Sequence, residues 1–173
     1  MKLSKFTITF LVFLAVQVIF SNYFQFTPFI TLSILPLMIV MIPVTTHPVK
    51  DLLAAFFAAL CVDFFSDGVL GLNAFALVPV ALLRRPFISL IFGSEIFARK
   101  EGISIRKHGI LKMSVLLLMA QTVFLVLYIW ADGAGTRPVW FNLTRFAASL
   151  LTGLVCSLPL SNSFVKEERD RWS

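Results

Sequence analysis

Apolar runs of about the length that carries a helix across a bilayer constrain this chain more than any other feature. About 20 predominantly apolar residues suffice for one crossing, and such runs recur at about 6–24, 28–45, 50–66, 69–84, 110–131 and 139–160. Only 14% of the 173 residues are charged and 58% are hydrophobic, whereas a soluble domain carries about 25% charged residues to face water. So short a chain cannot hide that much Leu, Phe, Val and Ile in one aqueous core. An ordinary soluble enzyme, a disordered chain and a nucleic-acid-binding domain are thereby excluded. The expected class is an all-α integral membrane protein with six transmembrane helices in a single domain, 1–165. A charged tail, 166–173, follows it.

The runs differ in character. The first follows Lys2 and Lys5, as a signal peptide would, but Phe20-Ser21-Asn22-Tyr23-Phe24 offers no small-x-small cleavage site. It is therefore read as a retained helix. Pro36 and Pro43 interrupt the second run, and a kinked span is expected because neighbouring helices can satisfy the carbonyls that proline frees. Only Ser66-Asp67-Gly68 separates the third run from the fourth, which suits a tight antiparallel hairpin. Past Lys112, the fifth run has Gln121 as its one strongly polar interruption, and the sixth carries Asn142 and Arg145 near its start. A shorter patch at 87–98, with Phe87, Ile88, Ile91, Phe92, Ile96 and Phe97, suits an interfacial helix.

Charge sets the expected orientation. Six spans place the N-terminus, the 45–51 loop, the 84–109 loop and the C-tail on one side. That side collects Lys2, Lys5, Lys50, Arg84, Arg85, Arg99, Lys100, Arg106, Lys107, Lys112, Lys166, Arg169 and Arg171, leaving only Arg137 and Arg145 of the 15 basic residues opposite. The positive-inside rule makes the rich side cytoplasmic, with both termini inside.

Polar residues within the runs are the candidates for chemistry. Asp63 lies in an apolar helix, where an ionised carboxylate costs at least about 2.5 kcal/mol. Asp67 follows one turn later, and Gly68 and Gly71 permit a sharp turn and close helix contact. One reading is an intramembrane proton or ion pathway. The favoured one is structural: Asp67 caps the fourth helix and Asp63 makes a fixed bond. The other spans hold no acidic residue, so Arg145 is expected to pair with Asp63 or Asp67. His47 and His108 fall in loops beside Pro48 and Lys107 and read as solvated. Ser66 has no histidine on its side of the membrane, so a hydrolytic triad is not expected. Cys61 and Cys156 form no CxxC or metal set. The basic 99–112 stretch could hold anionic lipid, although topology alone accounts for it. No catalytic residue, cofactor or metal is expected.

At the 63–74 hairpin the chain resembles the rod shape-determining protein MreD family. The shared pattern is an aspartate late in one span (Asp63), a glycine (Gly68), then a Leu-Gly step opening the next (Leu70-Gly71), here continued by Leu72-Asn73-Ala74. Val69 stands where the family often has proline. Size, span number and lack of an extramembrane domain also agree. The resemblance implies a non-enzymatic scaffold in the bacterial inner membrane that binds MreC. Through MreC it reaches MreB, the RodA glycosyltransferase and its penicillin-binding transpeptidase in peptidoglycan synthesis. It implies contacts with membrane lipids and none with nucleic acid, and it leaves room for a homodimer. It also implies a fold like the substrate-binding subunits of energy-coupling-factor transporters, so a vitamin-type transport subunit is the alternative. That alternative would call on Gln17, Asp63, Asn73, Gln121, Asn142 and Arg145.

Overall fold

The computed structural model describes residues 5–23, 30–66, 69–99, 102–133 and 136–165. Among these, every regular element is helical: α1 Lys5–Tyr23, α2 Leu35–Val40, α3 Pro48–Phe65, α4 Leu72–Phe92, α5 Glu95–Ala98, α6 Ile105–His108, α7 Ile110–Gly133 and α8 Val139–Val165. Four of them, α1, α4, α7 and α8, are long and apolar enough to cross a membrane, which marks a multi-pass membrane protein. α3 has 18 residues but carries Lys50, Asp51 and Asp63.

The distribution of polarity agrees with a lipid surround. Phe57, Phe64, Leu82, Leu90, Leu111, Trp130, Leu151 and Val155 face outward, while Gln17, Asp51, Asp63, Arg84, Gln121, Arg145 and Ser149 are buried inside. In water that arrangement would expose the hydrophobic surface and enclose the polar groups. In a bilayer it shields costly polar groups within the bundle.

α4 is central, packing against α3 on one side and α7 on another, and α7 in turn packs on α8. α2 lies across α3, α4 and α7, with all six of its residues buried. It occupies the middle of the bundle, not its lipid-facing edge.

The second run departs most from expectation. It is not one kinked helix: residues 30–34 are non-helical, and among the described residues of the run only Leu35–Val40 form a helix. Pro36 starts that helix instead of bending it, because a proline in the first turn loses no intrahelical hydrogen bond. Pro43 follows soon after the C-cap, Met41, and cannot donate to continue the helix.

The fourth span and the interfacial helix are also redrawn. α4 runs from Leu72 to Phe92 through Pro79 and Pro86, so Phe87–Phe92 complete a crossing helix and Ile88 is fully buried. Only Glu95–Ala98 remain of the expected 87–98 helix. Gly93, at φ +85°, makes the break, in a backbone region that L side chains seldom adopt. Past the expected ends at 131 and 160, α7 reaches Gly133 and α8 reaches Val165.

Candidate functional site

Asp63 is the staple of the α3–α4 hairpin. Its Oδ2 accepts a bond from the Gly71 amide at 3.0 Å, and its Oδ1 accepts from the Asn73 amide at 3.2 Å and from Asn73 Nδ2 at 2.8 Å. The first amides of a helix lack intrahelical partners, and a carboxylate there satisfies them while meeting the positive end of the helix dipole. Gly71 is the N-cap, at φ +91°. Asp63 therefore does the capping expected of Asp67, which, like Gly68, lies outside the described residues. The same C-terminal end of α3 is closed by Ser66 Oγ donating to the Val62 carbonyl at 2.7 Å and by Asn22 Nδ2 donating to the Phe65 carbonyl at 2.9 Å.

A Cβ on Gly71 would meet nothing within 4 Å, so Gly71 serves its backbone angle and not close helix contact. Close contact occurs instead at Gly153 in α8, where a Cβ would overlap the side-chain amide of Gln121 in α7.

Arg145 does not pair with Asp63. Its Nη1 lies 2.5 Å from Asp132 Oδ2, and its Nε donates to Thr31 Oγ1 at 3.1 Å. Asp132 also receives Arg137 at 3.2 Å. Tyr128 stands beside this group, with Arg145 Cζ 6.0 Å from its ring centroid. The acid that meets Arg145 is Asp132, just past the expected end of the fifth run at 131.

Side chains from the surrounding helices bind the backbone of residues 31–34. Ser149 Oγ of α8 accepts from the Thr31 amide at 2.8 Å. Gln17 of α1 donates to the Leu32 carbonyl at 3.4 Å and accepts from the Ile34 amide at 2.7 Å. Gln121 of α7 donates to the Ser33 carbonyl at 3.3 Å. Non-helical backbone survives at membrane depth only where protein or a cavity satisfies it. Here Gln17, Gln121 and Ser149 do so.

Beyond α2 the same service is given by Arg84. Its guanidinium donates to the carbonyls of Val40 and Ile42, at the end of α2 where carbonyls lack helical partners and the dipole favours a cation. Nη1 bonds Asp51 Oδ2 at 2.8 Å, with the two side chains 0% and 2% exposed. Thr46 Oγ1 donates to Asp51 Oδ1 at 2.5 Å, and Arg85 Nη2 donates to the Thr46 carbonyl at 2.7 Å. Thus Arg84, expected as a loop residue, is a buried ion-pair partner. Nor is His47 merely a loop residue, since its Nδ1 accepts from the Val49 amide at the start of α3.

Asp132 could have been found from the sequence. It lies one residue past the expected end of the fifth run at 131, and helix ends shift by a residue or two. Arg84–Asp51 had no comparable signal, being separated by 33 positions with α4 expected to end at 84.

Leu70 is exposed beside the capped turn, next to exposed Val69, Phe64 and Phe65. The hairpin thus offers a polar staple and an outward apolar tip. Among the described residues no group of three or more His, Cys, Asp or Glu is placed to hold a metal ion. Comparison with protein-family models, with curated proteins and with solved structures finds no match to this chain.

Proposed function

We propose that the chain is a non-enzymatic membrane scaffold of the bacterial wall-elongation complex, of the MreD family. In this reading it crosses the inner membrane six times with both termini cytoplasmic, and helps determine cell shape by docking MreC and organising peptidoglycan synthesis. The observation that carries the reading is the hairpin at Asp63. Three residues of the stretch on which the resemblance rests, Asp63, Gly71 and Asn73, are one hydrogen-bonded unit. Beside it Leu70, Phe64 and Phe65 point outward as an apolar surface. A protein of this kind works by helix-to-helix docking, which needs a rigid, apolar projecting surface.

The test is co-expression of the tagged chain with a single-span, coiled-coil periplasmic protein encoded beside it, followed by purification and mass spectrometry. Stoichiometric recovery that falls when Phe65→Ala and Leu70→Ala are combined supports the reading. Equal recovery from the variant and the parent overturns the docking surface. Thiol labelling tests the orientation: Thr136→Cys should react from outside intact cells and a tail cysteine at Lys166 should not.

A second reading, a substrate-binding subunit of a vitamin-type transporter, draws on the interrupted second run, because transporters form sites at broken helices. Against it, Gln17, Asp63, Asn73, Gln121 and Arg145 already bond to the protein itself. A vitamin-sized molecule retained through purification would favour transport.

A further inference from the structure

A cleft of about 430 Å³ opens where α4 ends and α7 begins, walled by Phe92, Glu95, Ile96, Arg99, Lys107 and His108. Its size falls within the range of small-ligand sites, about 300–1,000 Å³. Two glycines with positive φ shape it: Gly93 turns the chain out of α4 and Gly109, at φ +84°, turns it into α7. Ser104 caps the short α6 between them by accepting from the Lys107 amide at 3.2 Å.

The chemistry of the walls is two-sided. Among the lining residues Arg99 and Lys107 are basic and Glu95 is acidic. That carboxylate meets Arg99 Nη2 at 3.0 Å with both side chains largely exposed, 65% and 78%, an arrangement that holds Arg99 weakly and uses few of its five N–H donors. His108 lies edge-on to Phe92, ring centroids 4.8 Å apart, and its Nδ1 is buried with no hydrogen-bond partner. A cationic wall with an unpaired ring nitrogen suits an anion of several acceptor oxygens. Leu90, just before the cleft, and Ile110 and Leu111, just after it, are strongly exposed apolar residues on α4 and α7, both of membrane-crossing length and hydropathy. The cleft therefore sits at a bilayer boundary with apolar helix faces beside it.

We infer that this cleft binds the phosphate headgroup of an anionic lipid, with Arg99 and Lys107 against the phosphate and the acyl chains along the exposed faces at Leu90, Ile110 and Leu111. A cationic cleft alone would equally suit a soluble phosphate. The adjoining apolar surface selects an amphiphile. Neither the scaffold nor the transport reading is needed for this inference, and failure of the co-purification test leaves it untouched.

The experiment uses the full chain, delipidated in a neutral detergent and titrated with phosphatidylglycerol, phosphatidylcholine or inorganic phosphate, with retained lipid counted by native mass spectrometry. Phosphatidylglycerol should bind saturably and raise the unfolding midpoint more than phosphatidylcholine does. Arg99→Gln and Lys107→Gln should each weaken it about fivefold, the factor that roughly 1 kcal/mol per cation at an anionic surface produces. Both residues are exposed, so an unchanged elution profile is expected of each variant. Lys112→Gln, which removes an exposed cation outside the cleft, should leave binding unchanged. Equal weakening by Lys112→Gln would mean diffuse attraction and overturn the site. Equal retention of phosphatidylcholine would do the same. Displacement of the lipid by millimolar inorganic phosphate would assign the cleft to a soluble anion and overturn the lipid.

Discussion

Arg145 Nη1 reaches Asp132 Oδ2 at 2.5 Å across the turn between α7 and α8, and the same guanidinium holds Thr31. One cation thus ties together the two last long helices and the non-helical segment ahead of α2. The side chains are 11% and 23% exposed, so water relieves part of the charge. Removing either partner should cost about 1–3 kcal/mol, below the 3–5 of a fully buried pair. Arg145→Leu and Asp132→Asn combined should be less damaging than their sum, whereas Asp63→Asn in the Arg145→Leu background should add its full cost. Unfolding midpoints in a denaturing-detergent titration check both comparisons.

Two glycines should fail for different reasons. Gly71→Ala should destabilise by about 1–2 kcal/mol through its positive φ, and Gly71→Leu should be no worse, since the space around it is open. Gly153→Ala should also destabilise, because its methyl would displace the Gln121 amide from the Ser33 carbonyl. Combined with Gln121→Ala it should add little beyond the cost of Gln121→Ala alone. Thermal unfolding of the four variants and the double variant separates strain from overlap.

Arg84→Leu should be among the most destabilising substitutions. It leaves Asp51 buried without its cation, for which about 3–5 kcal/mol is the usual cost, and strips the end of α2 of its donor. Asp51→Asn on the Arg84→Leu background should recover part of the loss, as measured by the yield of monodisperse protein and its unfolding midpoint.

Gln17→Leu removes the acceptor of the Ile34 amide while leaving that amide buried, a loss of about 1–3 kcal/mol. Hydrogen exchange at residues 31–34 should accelerate, while exchange in the middle of α7 stays slow. Unchanged exchange at Ile34 would show that Gln17 does not secure this segment.

Much of this protein was legible residue by residue. Apolar length and sparse charge announce a membrane protein with no strands needed, because local composition decides what a helix can face. The Asp63–Gly71 hairpin was likewise visible, since a carboxylate, a turn and a glycine within ten positions interact locally. Asp132 falls one residue past the expected end of the fifth run at 131, so a small shift of that boundary brings it into the bundle.

The second run shows where local reading stops. Its apolar residues and its two prolines predict a kinked crossing helix, and hydropathy cannot distinguish that from a short helix after non-helical chain. What decides is whether distant side chains meet the backbone groups that the missing helix leaves open. Gln17, Gln121 and Ser149 meet those of residues 31–34, and Arg84 those at the end of α2, from positions scattered over four helices. Apolar content and helix-forming runs are properties of neighbouring residues, so the sequence alone determined the membrane class and most of the helices. Which buried charge meets which carbonyl depends on how helices far apart in the chain pack, and only the tertiary structure decided that.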